Sequence, residues 1–148
     1  VLTRTLATTT IANDEAVGDV YTRFLRIGEP VCDDDGCIGT LRSAAAVDAL
    51  SLADPTLVTA AQYALIGDEL DIAFESTVQD CPLADGTLVA RAWRSEPTMS
   101  LEVEATDGVA TALTGEAGNT LTTTAEGEAA GCIGSGEQTF TVSAERLS

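Results

Sequence analysis

The side chains in this chain that could do acid–base, metal or thiol chemistry are few. Histidine is absent, and all 7 basic residues among the 148 are arginine. This excludes Ser-His-Asp and Cys-His nucleophile arrangements and any imidazole-ligated zinc site. Proton transfer would fall to carboxylates, to Tyr21 or Tyr63, or to a cysteine. Reactions that need no proton transfer become relatively more attractive.

Val31 to Thr40 reads VCDDDGCIGT. Asp33, Asp34, Asp35 and Gly36 resemble the start of a calcium loop. An EF-hand needs a glutamate six residues after its glycine, and Arg42 stands there. Cys32 and Cys37 are too far apart in sequence for a CxxC redox pair. The expectation is therefore no metal, with aspartates solvating a hairpin tip and Gly36 permitting the turn. Four cysteines allow three pairings. The preferred one joins Cys32 to Cys37 across this tip. It joins Cys81 to Cys132 between the turn-like stretches QDCPLADG and AAGCIGSG. Free thiols are the alternative, favoured by a cytosolic home.

The net charge is -17, from 24 acidic and 7 basic residues. A field this negative repels nucleic acid and anionic membrane. It suits solubility, high salt, or an uncharged or cationic ligand. No apolar run approaches the roughly 20 residues of a membrane helix. No signal peptide is visible, although a segment upstream of VLTRTL could have been removed. Hydrophobic content of 45% argues against disorder. The length fits one domain, residues 1–148, burying roughly 70% of its extended surface.

The elements that must position these groups read as strands. VLTRTLATTTI alternates, ANDEAVG breaks it, and GDVYTRFLRIG places Tyr21, Arg23, Leu25 and Ile27 on one side. IGTLRSAA returns after the cysteine loop. Pro55 could start a helix through TLVTAAQYAL. The preferred reading is a hairpin turning at Gly67–Asp68, with a second strand from Glu69 to Val78. Its one face carries Leu70, Ile72, Phe74, Ser76 and Val78; Glu75 faces away. A turn at Asp85–Gly86 leads to a strand from Thr87 to Arg94. A strand with Met99, Leu101, Val103 and Ala105 on one face turns at Asp107–Gly108. VATAL, a turn at TGEAGN, TLTTTAEGEA and EQTFTVSAERL complete eight to ten strands. That pattern leaves a sandwich or a closed barrel. About eight strands closing on themselves would hold side chains or one small ligand.

VGDVYTRFLRIG…DDDGCIGT resembles a segment of the small bacterial β-barrel enzymes of the allene oxide cyclase-like class, nearest to the spirotetronate cyclases of polyketide biosynthesis. LADGTLVARAW and LEVEATDGVATALTGEAGNTLTTTAEG resemble their middle strand and late hairpin. The likeness covers roughly residues 17 to 128, with gaps. It implies an all-β, eight-stranded (eight to ten), mainly antiparallel closed barrel with a central cavity. It also implies a cytoplasmic homodimer without a cofactor. The activity implied is an intramolecular Diels–Alder (4+2) cycloaddition on a linear, apolar polyketide, forming a spirotetronate. TLTTTAEG departs from the pattern, with threonines where relatives carry bulky aromatic and arginine residues. The cysteines lie outside the pattern; disulfides between them would suit a secreted protein.

Such a reaction needs no acid, base or metal. Its main cost is folding a flexible chain, and preorganisation can supply up to about 7–11 kcal/mol. A hydrogen bond to the dienophile carbonyl would add to this. Tyr21 and Arg23 could hold such a carbonyl if they point inward. Trp93 falls where a family tryptophan is expected, as a pocket wall or as core filler; Arg91 shares its side, as a ligand anchor or a paired structural arginine. Tyr63 and Phe74 could line the cavity mouth, and Met99, Leu101, Val103 and Phe140 the interior. The competing functions are a lipocalin-like binding protein for an apolar molecule and a secreted, disulfide-stapled β-sandwich interaction module.

Overall fold

The computed structural model describes residues 1–11, 15–51 and 58–146. The strands are β1 (Leu2–Thr9), β2 (Val20–Ile27), β3 (Val31–Cys32), β4 (Cys37–Ala44), β5 (Val58–Ile66), β6 (Glu69–Phe74), β7 (Thr77–Pro82), β8 (Leu88–Thr106), β9 (Val109–Thr123) and β10 (Gly136–Glu145). One short helix, α1 (Ala125–Ala129), joins β9 to β10. The protein is all-β, and its strand pairs are antiparallel.

The sheet runs β2-β1-β10-β9-β8-β6-β5-β4-β3, and a further β2–β4 pairing returns to its start. A ring of hydrogen bonds therefore passes through eight strands. Such a circuit leaves its members no free edge, which is the physical gain from closing a sheet. β7 lies off the ring and pairs with the first half of β8.

Alternation decides which face each strand buries. Leu2 and Leu6 of β1, Leu41 of β4, Tyr63 of β5, Leu70 and Ile72 of β6, Met99 and Leu101 of β8, and Phe140 and Val142 of β10 meet in one core. Leu2, Leu6, Leu41 and Leu101 are fully buried. Burial of each contributes about 1.5–3 kcal/mol relative to exposure. Tyr21, Leu25, Phe74 and Val103 pack against this core.

The hairpin reading of residues 58–74 holds, with Gly67 in the left-handed region that a two-residue turn requires. Asp107 and Gly108 likewise both have positive φ, at 53° and 74°. The break expected in ANDEAVG starts outside the described residues, as does Pro55.

Three strand boundaries differ from expectation. The strand begun at Glu69 ends at Phe74, and the chain then leaves the ring to form β7, so Val78 does not join the Leu70 face. Thr87–Arg94 and the Met99 strand are one long β8. Pro97 interrupts nothing because β8 changes partner there: β7 pairs up to Ser95 and β6 begins at Thr98. A missing N–H is tolerated where no ladder bond is required. TGEAGN is no turn but the middle of β9. A Cβ on Gly115 would collide with the backbone of Ser100 and Leu101, so this glycine serves close strand approach.

Both cysteine pairs are bonded as expected, Cys32 with Cys37 and Cys81 with Cys132. The first closes the acidic tip. There the Asp33 carboxylate accepts the backbone N–H groups of Asp35 and Gly36, at 2.9 and 3.2 Å. The carboxylate thus organises its own turn, as Asx residues do.

Candidate functional site

One end of the core is lined differently from the rest. A pocket of about 570 Å³ opens there, among Arg4, Glu15, Arg23, Ser43, Phe74, Ser95, Met99, Asn119, Gln138 and Phe140. Its apolar wall comes from Leu2, Leu25, Leu121 and the two phenylalanines.

Two arginines face this space from neighbouring strands. Arg4 and Tyr21 are cross-strand partners, and Arg23 lies opposite Leu2, so one inward face of the β1–β2 pair presents Arg4, Tyr21 and Arg23 together. The Arg4 guanidinium lies against two aromatic rings, 4.8 Å from the centroid of Phe140 and 5.1 Å from that of Tyr21. The rings meet edge to face with centroids 6.2 Å apart. A cation over an aromatic face is attracted by the ring quadrupole, and this contact helps to hold Arg4 in place. Its Nε is buried with no hydrogen-bond partner. Burial first, and then the Arg23 charge, push the Arg4 guanidinium below its ordinary pKa, while Glu15 and Tyr21 pull the other way.

Arg23 donates from Nε to Ser43 Oγ at 3.1 Å and from Nη2 to the Ser43 carbonyl at 3.4 Å. These bonds fix the side chain through neutral acceptors. Glu15 is the carboxylate of the site and is itself engaged. It accepts the Tyr21 hydroxyl at 2.7 Å on Oε1 and Gln138 Nε2 at 2.6 Å on Oε2. The hydrogen bond to Glu15 is the main reason that Tyr21 is pushed up to about 12. Tyr21 therefore stays protonated and donating at neutral pH.

The residues singled out from the sequence separate into groups. Tyr21 and Arg23 point inward and come together, and Phe74, Met99 and Phe140 line the same pocket. Leu101 and Val103 belong to the packed part of the core. Tyr63 lies across Gly39 on β4, donates to the Gly28 carbonyl at 3.1 Å and lines, with Phe74 and Met99, a neighbouring depression rather than this pocket.

Arg91 and Trp93 are not brought to the pocket. Arg91 is exposed and has a positive φ of 54°. That left-handed residue breaks the alternation of β8, and Ala92 and Trp93 both turn to a satellite cluster around Cys81 and Cys132. Trp93 packs there against Gly134, and its Nε1 has no hydrogen-bond partner.

Arg4, Glu15, Ser43 and Gln138 were not singled out in the sequence. The available signal was an arginine between Leu2 and Leu6 on a single face of an alternating strand. A larger depression of about 1160 Å³ adjoins this pocket, sharing Phe74, Met99 and Ala117 with it and lined further by Val31, Ile38, Gln62, Tyr63 and Glu116. Exposed residues dominate its polar lining, so it lacks the part-buried charges that distinguish the smaller pocket. Among the described residues, no group of three or more Cys, Asp or Glu side chains gathers as metal ligands, and no helix is long and apolar enough to cross a membrane.

Comparison of the chain with family models, curated proteins and solved structures found no match.

Proposed function

We propose that the eight-strand ring is a closed β-barrel whose polar end admits a small, largely apolar molecule, and that the protein acts on this guest as a cofactor-free Diels–Alder (4+2) cyclase. The observation that carries the reading is the pocket of about 570 Å³, in which apolar walls face Arg4, Arg23 and the Tyr21–Glu15–Gln138 group. Its volume lies within the roughly 300–1,000 Å³ typical of small-molecule sites, and so does its mixture of apolar wall and few polar groups. Polar groups converging at one end favour catalysis over mere carriage. Arg23 is held by Ser43 and Arg4 by two rings, so both donors are oriented before a guest arrives. Fixed donors aimed at an oxygen that gains charge in the transition state are the form of help a cycloaddition can use.

The test is incubation of a linear polyketide, bearing a conjugated diene and a tetronate with an exocyclic alkene, with and without the protein. Faster cyclisation to one stereoisomer is expected. An unchanged rate and product distribution would remove the enzymatic reading for this substrate class. Saturable binding without turnover would leave a lipocalin-like carrier. The homodimer and the cytoplasmic setting rest on the sequence resemblance alone. Two disulfides suit an oxidising compartment, which pulls towards a secreted protein.

A further inference from the structure

The inward strand positions carry no acidic side chain among the described residues, although the chain holds 24 acids. Each strand places its carboxylates on the outer face, as Glu69 and Asp71 do on β6 and Glu102 and Glu104 on β8, with Leu70, Leu101 and Val103 inward between them. The arginines divide the other way. Arg26, Arg42, Arg91, Arg94 and Arg146 are exposed, and Arg4 and Arg23 both line the pocket. The interior of this very acidic protein is thus locally cationic.

Arg4 and Arg23 are part-buried, and an arginine drawn even partly out of water normally answers a carboxylate, because an uncompensated charge there is costly. Here no described carboxylate makes that pair. Arg23 rests on neutral acceptors of Ser43, and Arg4 on two aromatic faces with an unpartnered Nε. The nearby carboxylate, Glu15, arrives from the segment between β1 and β2, and both its oxygens accept from Tyr21 and Gln138. Among the described residues, two guanidinium groups therefore share one carboxylate that is already engaged.

From this arrangement we infer that the guest is an amphiphile bearing one oxyanion, a carboxylate or an enolate, whose charged oxygens sit between Arg4 and Arg23 while its apolar body lies along Leu25, Phe74, Met99 and Phe140. The inference rests on the interior site proposed above and does not depend on the cycloaddition. A guanidinium presents planar paired donors that match such an anion, and charge-assisted bonds of this kind are about twice as strong as neutral ones. The outer acidity does not forbid entry, since charges beyond about 8 Å are largely screened at physiological salt.

The experiment is isothermal titration of the intact protein at neutral pH with decanoate and, separately, with decanamide, which keeps the chain and removes the charge. A second pair, a 2-decyl-1,3-cyclohexanedione enolate and its O-methyl enol ether, asks the same of an enolate and separates the two sources of the anion. Decanoate should bind about tenfold or more tighter than decanamide, the loss expected when charged hydrogen bonds are removed. Arg4→Met and Arg23→Met should each erase most of that preference, with folding checked by circular dichroism. The wild-type comparison stands even if a variant fails to fold. Equal affinity for charged and neutral members of both pairs would overturn the inference and leave the interior site standing. Failure of every probe to bind would overturn both. A charge preference without any cyclisation of the polyketide would remove only the enzymatic reading.

Discussion

The two ends of the core are built by the same strands and obey opposite rules. At one end β6, β8, β9 and β10 turn Leu70, Leu101, Leu113 and Val142 inward, all buried. A few residues along those strands or their neighbours, the inward positions become Ser43, Ser95, Asn119 and Gln138, with Arg4 and Arg23 facing them. Ser95 donates to Asn119 Oδ1 at 2.7 Å, so even these polar groups are paired across the β8–β9 ladder. One end is close-packed and supplies cohesion; the other is polar and leaves space. Alternation sets which face a residue takes, and position along the strand sets which of the two environments it enters.

The contrast breaks most visibly through stability. Leu101→Ala at the packed end should cost about 2–5 kcal/mol in denaturant unfolding. Arg23→Met at the open end should cost less, about 1.5 kcal/mol, the low end for hydrogen bonds from a charged group, because Arg23 is only part-buried. Equal losses would mean that the polar end is structural after all.

The disulfides sharpen the comparison, since neither lies in the main core. The Cys81–Cys132 bond spans a sequence separation of 51 and the Cys32–Cys37 bond one of 5. By chain entropy, loss of the long bridge should cost about 4 kcal/mol and loss of the short one about 2. Paired Cys→Ala variants compared by chemical denaturation would check the order. A larger effect from the short bridge would contradict it.

Gly39 tests backbone space beside Tyr63, on the wall of the larger depression. A Cβ there would fall within 2.7 Å of the Tyr63 ring and hydroxyl. Gly39→Ala should displace that ring and cost about 1–3 kcal/mol, as overpacking does. A thermal midpoint unchanged from the wild type would show that Tyr63 can shift freely.

The smallest effect is spectroscopic and belongs to the open end. Tyr21 is raised from 10.0 to about 12, chiefly by its bond to Glu15. The folded state therefore holds this proton more tightly than the unfolded chain. The resulting stabilisation is complete below about pH 10 and is lost as pH rises through about 12. Ultraviolet titration of the two tyrosines should show a phenolate component near the upper limit that Tyr21→Phe abolishes. Persistence of that component in the variant would place it on the other ring.

Much of this architecture was legible in the chain because one face of most strands is buried, and a period of two then writes itself into the residues. The hairpin at Gly67–Asp68, the turn at Asp107–Gly108 and the cysteine pairs could be read directly. The failures have local causes. Glycine marks turns and close approaches alike, so Gly115 and Gly118 suggested a turn where β9 runs straight through. Proline suggests a break, but Pro97 stands where β8 trades one neighbour for another. Arg91 takes a left-handed backbone that no rule of alternation foresees, and with it Trp93 leaves the interior. Tyr21 and Arg23 were visible as a pair on one side of their strand, but not which way that side faces. Arg4 was not, because its meaning depends on β1 lying beside β2, a fact of topology.

Met99 offers the most direct test of the interior site, since it is the chain's single methionine and lines the pocket. With its methyl group carbon-13 labelled, one nuclear magnetic resonance signal reports on the site as decanoate is added. The account predicts a saturable shift of that signal, absent from Arg4→Leu protein at the same concentration. A methyl signal that stays in place while decanoate binds would show that the guest lodges elsewhere and that the polar end is not its seat.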